Sequence, residues 1–278
     1  MSEGLLVLCA TPIGNLSDVS ERLRETLGAA DVVYAEDTRR TATLLRHIGV
    51  SPPVRSLFVG NERSRTADLM ADLDRGLTVA VVSDAGMPTI SDPGAGAVAQ
   101  ARERGHRVTV VPGPSAVVAA VALAGFGGDR FAFEGFLPRK GKERSARLAR
   151  IAGDDRPIVL FVSPHRLLGD LGSLAAATGP DRPIAITREL TKLHEEVWTG
   201  TIAEALEHWA AREVKGELTV VIGPGSIAPA PVESALAEAR RLVGEGASPS
   251  EAARTIATST GVSRREIYET LIRGQDPS

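Results

Sequence analysis

The sequence predicts an α/β fold of two successive α/β domains followed by a small all-α domain, and three observations predict it. Short β-branched runs alternate with helical patterns of about 10 to 15 residues, the spacing of repeated βα units rather than of hairpins. The character shifts after Pro114, where a small-residue helix, Ser115 to Ala124, opens a second set of strands. Beyond the Gly-, Pro- and Ala-rich stretch Gly223 to Pro231, which reads as a linker, no strand pattern recurs. The expected domains are 1–113, 114–225 and 232–278.

In the first domain strands are expected at Leu5 to Cys9, within Ala30 to Glu36, at Val79 to Ser83 and at Val108 to Val111. Helices are expected at about 20–28, 39–48, 65–75 and 94–104. The second domain should place strands at Arg130 to Phe136, Ile158 to Val162, Ile184 to Thr187 and Leu218 to Ile222, shorter than those of the first and partly antiparallel. In the last segment Ser248-Pro249-Ser250-Glu251 and Ser263-Arg264-Arg265-Glu266 are capping boxes. Gly261 between them is placed as a helix C-cap. Two short capped helices resemble a helix-turn-helix, or a helical hairpin that only packs on the body.

Composition excludes several classes. The 278 residues carry a net charge of −3, so no global positive field draws the chain to nucleic acid, and such a partner must be met by a local basic patch. A single cysteine, Cys9, lies in an apolar run, where a buried core thiol is expected and no internal disulfide can form. An N-terminus without a charged leader points to the cytoplasm. The longest apolar stretch, Val117 to Phe126, is too short for the roughly 20 residues of a membrane span. Five scattered histidines lack ligand spacing, so no metal site is expected.

Glycine- and proline-rich turns just past parallel strands are where open α/β sheets bind ligands. Four such turns occur: Thr11 to Asn15, Glu36 to Arg40, Ser83 to Gly94 and Pro112 to Ser115. None is a dinucleotide fingerprint or a P-loop. Asp84 and Asp92 flank the glycines of the third turn. Without a metal they repel a polyphosphate, but they suit ribose hydroxyls or a cationic ligand. S-adenosylmethionine, part nucleoside, positively charged and free of phosphate, meets that description, and its sulfonium already activates the methyl group.

Seven motifs carry a resemblance: ATPIGNLSD (10–18), AEDTRR (35–40), SDAGMPTISDPG (83–94), VPGPSAV (111–117), FEGFLPRKGKER (133–144), SPHRLL (163–168) and TRELTKLHEEV (187–197). In order and spacing they resemble the tetrapyrrole methylase family, the class III S-adenosylmethionine-dependent methyltransferases, and within it the branch that modifies ribosomal RNA. The resemblance implies a cofactor cleft between two α/β domains and a homodimer. It also implies 2'-O-methylation of a decoding-site cytidine in small-subunit (16S) rRNA, naked or in the assembled subunit. Pro12, Asp84, Ala85, Gly86, Ile90, Ser91, Ser115 and Ala116 would then line the cofactor cleft. Three positions depart from the family pattern: Met87 where Thr is usual, Gly60 where His precedes Asn61-Glu62, and Val162 where an acid precedes Ser163.

A ribose hydroxyl is a weak acid, so its methylation benefits from a base or from a cation beside the developing alkoxide. Glu36, Glu134 and Lys140 are the candidate catalytic residues. Asp37 and Thr38 read equally as the N-cap of the helix that follows, and Glu134 as half of an ion pair with Arg139 or Lys140. The basic run Arg139, Lys140, Lys142, Arg144 and Arg147 is the candidate RNA-binding segment, against the alternative of a solvated helix face. Arg188 to Lys192 reads as an ion-pair cluster or as part of the cleft, and Trp198, Trp209 and Tyr268 as core or interface. Two rival functions remain open: methylation of a tetrapyrrole, and a non-enzymatic helix-turn-helix regulator with a nucleoside-like ligand. The first rival is weakened by the absence of a Gly-x-Gly-x-Gly-Asp pattern in the first turn.

Overall fold

A computed structural model describes residues 3–225, 232–260 and 262–273. The first half runs β1 (Leu5–Cys9), α1 (Glu21–Ala29), β2 (Val32–Ala35), α2 (Thr38–Ile48), β3 (Val54–Ser56), α3 (Glu62–Asp74), β4 (Thr78–Val82), α4 (Ala95–Glu103) and β5 (Arg107–Val111). Its five strands form a wholly parallel sheet in the order β3-β2-β4-β1-β5. A parallel sheet is covered on both faces, which is why its strands read as continuous apolar runs. Val7, Cys9, Val33, Ala80 and Val82 pack with Leu23 and Leu27 of α1 and Leu44, Leu45 and Ile48 of α2. The alternate residues Leu6, Val32, Tyr34, Val79 and Val81 pack with Leu69, Met70 and Leu73 of α3 and Ala97 and Ala101 of α4. Cys9 is buried and its thiol is pushed up to about 12 by burial, an inert core group.

The second half contains α5 (Ala116–Ala124), β6 (Ala132–Phe136), α6 (Gly141–Gly153), β7 (Ile158–Val162), α7 (Leu167–Thr178), β8 (Pro183–Arg188), β9 (Glu196–Thr201), α8 (Ile202–Ala210) and β10 (Leu218–Ile222). The sheet order is β6-β7-β10-β8-β9. Only β6 and β7 run parallel, and the other three pairings are antiparallel. Helix α5 covers one face, where Val117, Ala120, Val121 and Ala124 meet Val159, Ala185 and Val221. Residues from α7 and α8 cover the other, with Trp209 buried among Ile158, Leu160, Ile186 and Val220.

Two strands escape the sequence expectation. β3 has three residues after a Pro-Pro pair, and β9, EVWTGT, is a sheet edge with alternate residues exposed. The second-sheet strands have five or six residues and are not shorter than the first-sheet strands, which have three to five. Asp37 caps α2, its carboxylate accepting from the Arg39 N–H at 2.8 Å.

The last helices, α9 (Val232–Gly244), α10 (Pro249–Thr260) and α11 (Arg264–Arg273), share a small core of Ala235, Ala239, Ala252, Ala253, Ile256, Ile267 and Leu271. The Ser248–Glu251 box forms in both directions, with bonds of 3.3 and 3.2 Å, and the Glu266 N–H donates to Ser263 at 3.4 Å. Gly261 and residues 226–231 of the expected linker lie outside the described residues. Tyr268 is 39% exposed and is no core residue. Among the described residues no helix is long and apolar enough to cross a membrane.

Candidate active site

All four ligand-type turns of the first sheet leave the carboxyl edges of its strands, so the topology gathers them on one rim. Thr11 after β1 and Gly86 after β4 exchange two backbone hydrogen bonds, of 2.9 and 3.1 Å. The Thr11 hydroxyl donates to the Ser83 carbonyl, and the Ser83 hydroxyl donates to the Gly86 carbonyl, each at 3.2 Å. Gly86 turns the chain at φ 84°, a conformation open to glycine. Thr89 (φ 74°) and Ser91 (φ 64°) adopt the same left-handed region without that freedom. Such residues cost on the order of 1–3 kcal/mol each and cluster where a loop must present a site.

The acids on this rim interlock. The Asp84 N–H donates to Glu36 at 3.4 Å, and the Asp37 N–H donates to Asp84 at 2.9 Å. Arg40 stands 3.6 Å from the other Asp84 oxygen. Burial holds the Glu36 carboxyl above its ordinary value of 4.5, against the Asp84 N–H and with help from the Asp84 charge. Asp92 is raised to about 6, first by burial and then by the Glu36 charge, with the nearby Ser83 hydroxyl acting against both. Asp37 is driven the other way by the Arg39 guanidinium.

The second sheet closes the opposite side of a cavity of about 400 Å³, within the usual range for small-molecule sites. Phe136, Phe161, Val162, Ser163, Thr187, Leu190 and the start of β10 line it. Here too the turn after a strand is strained: Glu189 has φ 52° and Thr191 φ 66°. The two walls meet closely. A Cβ on Gly14 would lie 2.5 Å from Lys192 Cγ and 2.9 Å from the Leu190 carbonyl, so the first turn docks on this one only because residue 14 has no side chain. Lys192 is itself fixed by Glu189 at 2.8 Å and Glu217 at 3.0 Å.

Asp84, Ala85, Gly86, Ile90, Ser91, Ser115, Ala116 and Glu36 all line the cavity. Ser115 is also the N-cap of α5, so that helix begins at the cavity. Pro12 is buried behind it, and its neighbour Ile13 lines the space instead. Glu134 and Lys140 do not line it. Glu134 pairs with Arg147 at 2.8 Å rather than with Arg139 or Lys140, because it is the extra residue of a bulge between β6 and β7. Lys140 is the exposed N-cap residue of α6 and borders a second, open depression.

The basic run divides. Arg144 binds Asp170 at 2.8 Å and the Pro138 carbonyl at 2.9 Å, and Arg147 binds both the carboxylate and the carbonyl of Glu134. These two cations brace the fold; their side chains are 15% and 22% exposed. Arg139, Lys140 and Lys142 are exposed. Asp92, which the sequence pairs with Asp84 as suited to such a ligand, lines the cavity too, whereas Met87, Phe161, Thr187 and the β10 start were not among the expected lining residues. Met87 sat inside the recognised turn, and the rest carry no local sequence signal. Val162, one of the departures from the family pattern, is buried at the end of β7 and lines the cavity. Among the described residues no group of three or more His, Cys, Asp or Glu side chains is arranged to hold a metal.

Comparison with known proteins identifies the architecture. Residues 5–206 match the family model described as Tetrapyrrole (Corrin/Porphyrin) Methylases. The chain is 44% identical to the ribosomal RNA small subunit methyltransferase I of Mycobacterium tuberculosis, covering 99% of this chain and 97% of that one. It is 41% identical to the same-named protein of Synechocystis, with 96% of each covered. Among solved structures, the methyltransferase CobJ superposes with a TM-score of 0.61 at 22% identity, over 80% of this chain and 95% of that one. A uroporphyrin-III C-methyltransferase from Thermus thermophilus, solved with S-adenosylhomocysteine, gives 0.57 at 18%, over 79% and 97%. At these identities the structures establish the fold. The chain therefore belongs to the tetrapyrrole methylase family, and within it to the group of ribosomal RNA small subunit methyltransferases I.

Proposed function

We propose that the chain binds S-adenosylmethionine between its two sheets and methylates the 2'-hydroxyl of a cytidine ribose in the decoding region of small-subunit rRNA. The observation that carries the reading is the acid-lined, phosphate-hostile cavity in a chain whose same-named relatives align along its full length. The donor set fits the cofactor. Glu36, Asp84 and Asp92 favour a cation and can accept from ribose hydroxyls, and the opening turn of α5 offers backbone N–H groups to a carboxylate. Ile13, Met87, Ile90 and Leu190 supply apolar surface. When bound, the cofactor supplies a methyl group already activated by its sulfonium.

The residues of the chain align the acceptor and remove its proton. Glu36 is the base: its carboxyl is raised by burial, which brings its proton affinity closer to working pH. With the cofactor bound to supply the methyl group, Glu36 would take the proton that the ribose hydroxyl gives up as it is methylated. Asp84, held by the Asp37 N–H, orients Glu36 through its own N–H. Arg139, Lys140 and Lys142 meet the RNA backbone. The remaining expectations, pairing with a second copy of the chain and a cytoplasmic location where ribosomal subunits are met, belong to the same proposal.

The test is to incubate the chain with methyl-labelled S-adenosylmethionine and either small ribosomal subunits or naked rRNA, then map the label. Label on one ribose of the decoding region is expected. No label on any form of the RNA, or label only on a tetrapyrrole offered in parallel, rejects the reading. Analytical ultracentrifugation of the active chain tests the dimer, which a monomer at working concentration would overturn.

A further inference from the structure

Phe136 stands at the edge of the cofactor cavity, and its outward-facing surface is used neither there nor in the core. It ends β6 and is 52% exposed, although it is a large apolar residue beside a charged helix. The β-bulge puts it there. Phe133 pairs with Val159, Gly135 with Leu160 and Phe136 with Phe161, leaving Glu134 as the additional residue. In an unbroken strand Phe136 would face opposite to Phe133, since side chains alternate. The inserted residue, with Gly135 at φ 62°, returns Phe136 to the Phe133 side, the re-aiming that bulges near sites perform. There it leans on Phe161, ring centroids 5.6 Å apart, and Phe161 meets Phe133 edge-on at 5.0 Å.

Phe136 also borders two spaces at once. One is the 400 Å³ cavity, and the other is an open depression of about 650 Å³ shared with Pro138, Arg139, Lys140, Glu143 and His165. The floor of that depression is fixed from within: Arg166 donates to the Leu137 carbonyl at 2.9 Å and to Asp170 at 3.1 Å, and Arg147 is bound to Glu134. Arg139 and Lys140 have no ion-pair partner among the described residues, and Glu143 is the one acid on the lining. An exposed ring beside two unpaired cations is the arrangement that receives single-stranded nucleic acid, with a base on the ring and a phosphate on the charges.

We propose that Phe136 is the stacking platform for the base of the target nucleotide, with its flanking phosphate held by Arg139 and Lys140. This rests on the rRNA-methylation reading above and specifies how the acceptor is held. The ribose then lies at the junction of the two spaces, with the base on the side of the depression and the 2'-hydroxyl toward Glu36. Such a seat needs an unstacked nucleotide.

The test compares the full chain with Phe136→Leu, Phe136→Trp and the double variant Arg139→Ala/Lys140→Ala. Leucine keeps apolar bulk and removes the flat ring, whereas tryptophan keeps a ring. Phe136→Leu should raise the KM for RNA about tenfold, as loss of one base–aromatic stack implies, and by several-fold more than it weakens the cofactor Kd read by calorimetry. Phe136→Trp should restore the KM. The double variant should flatten the salt dependence of RNA binding by about 0.7 in log–log slope, for one phosphate contact on a single strand. An unchanged RNA KM in Phe136→Leu overturns the platform, and so does a cofactor Kd that worsens as much as the KM, which would make Phe136 part of the cofactor pocket. An unchanged salt slope overturns the phosphate contact. A wild-type chain that methylates no RNA overturns the parent reading and this one with it; an active wild type with unaltered variants overturns this one alone.

Discussion

The two walls of the cavity are made by opposite means. The first-sheet wall is polar and wired: Glu36, Asp84 and Asp92 are fixed by backbone N–H groups, by Ser83 and by the Thr11–Gly86 pair. The second-sheet wall is chiefly apolar at Phe161, Val162 and Leu190, with Lys192 held between Glu189 and Glu217. Both hold left-handed non-glycine residues in the facing turn. The difference teaches that charge is placed on the parallel sheet, where four strand ends converge, while the mixed sheet supplies shape and excludes water.

Breaking the polar wall at its base should have the largest effect. Glu36→Gln keeps size and hydrogen bonding but cannot take a proton, so kcat should fall about 100-fold or more, with cofactor affinity by calorimetry little changed. The same group sets the pH profile. Because its carboxyl is raised above 4.5 and acts as the base, the rate should be full at higher pH. It should fall as pH drops through that elevated value, and Glu36→Gln should erase this acid limb.

Forcing the walls apart should come next. Gly14→Val places atoms on Lys192 and the Leu190 carbonyl, and overpacking of this kind costs about 1–3 kcal/mol. Both the thermal midpoint and cofactor affinity should drop. A variant that loses neither would mean that the turns do not set the cavity.

Asp92 sharpens the contrast in the other direction. Its carboxyl rises from 3.8 to about 6 in the folded chain, so the fold binds this proton more tightly than the unfolded chain does. The stabilisation it gives is complete below 3.8 and is lost as pH rises through 6. Asp92→Asn should therefore raise stability at pH 7.5 by about 1–3 kcal/mol and leave it unchanged at pH 3.5, as denaturant titrations at the two pH values would read. Smallest of all, Gly172→Ala at an exposed position of α7, where a Cβ meets nothing within 4 Å, should add about 0.5–1 kcal/mol and leave methylation untouched.

Most of the polar wall was legible in the sequence, and most of the apolar wall was not. Ser83 to Gly94 follows an apolar run and is crowded with Asp, Gly and Pro, so its chemistry is local and readable. Phe161, Thr187 and Leu218 are ordinary strand residues whose convergence is created by antiparallel pairing of β10 with β7 and β8, which no local pattern reveals. Glu134 misled for a related reason: an acid between aromatics reads as a buried catalytic group until the bulge turns it toward Arg147. The ion pairs of Arg144 and Arg147 were not legible, because a basic run does not say which of its members face inward. Only partners distant in sequence, Asp170 for Arg144, decide that. The three-residue β3 and the edge strand β9 lacked the apolar length that marks a strand from sequence.

The shared rim has a consequence for how the molecule tolerates change. Since the carboxyl ends of β1, β2, β4 and β5, together with those of β6, β7 and β8, carry the lining, the opposite margin is free of it. Connections there, such as Arg75 to Leu77 between α3 and β4, are the places to lengthen a loop or graft an affinity tag without disturbing the reaction chamber.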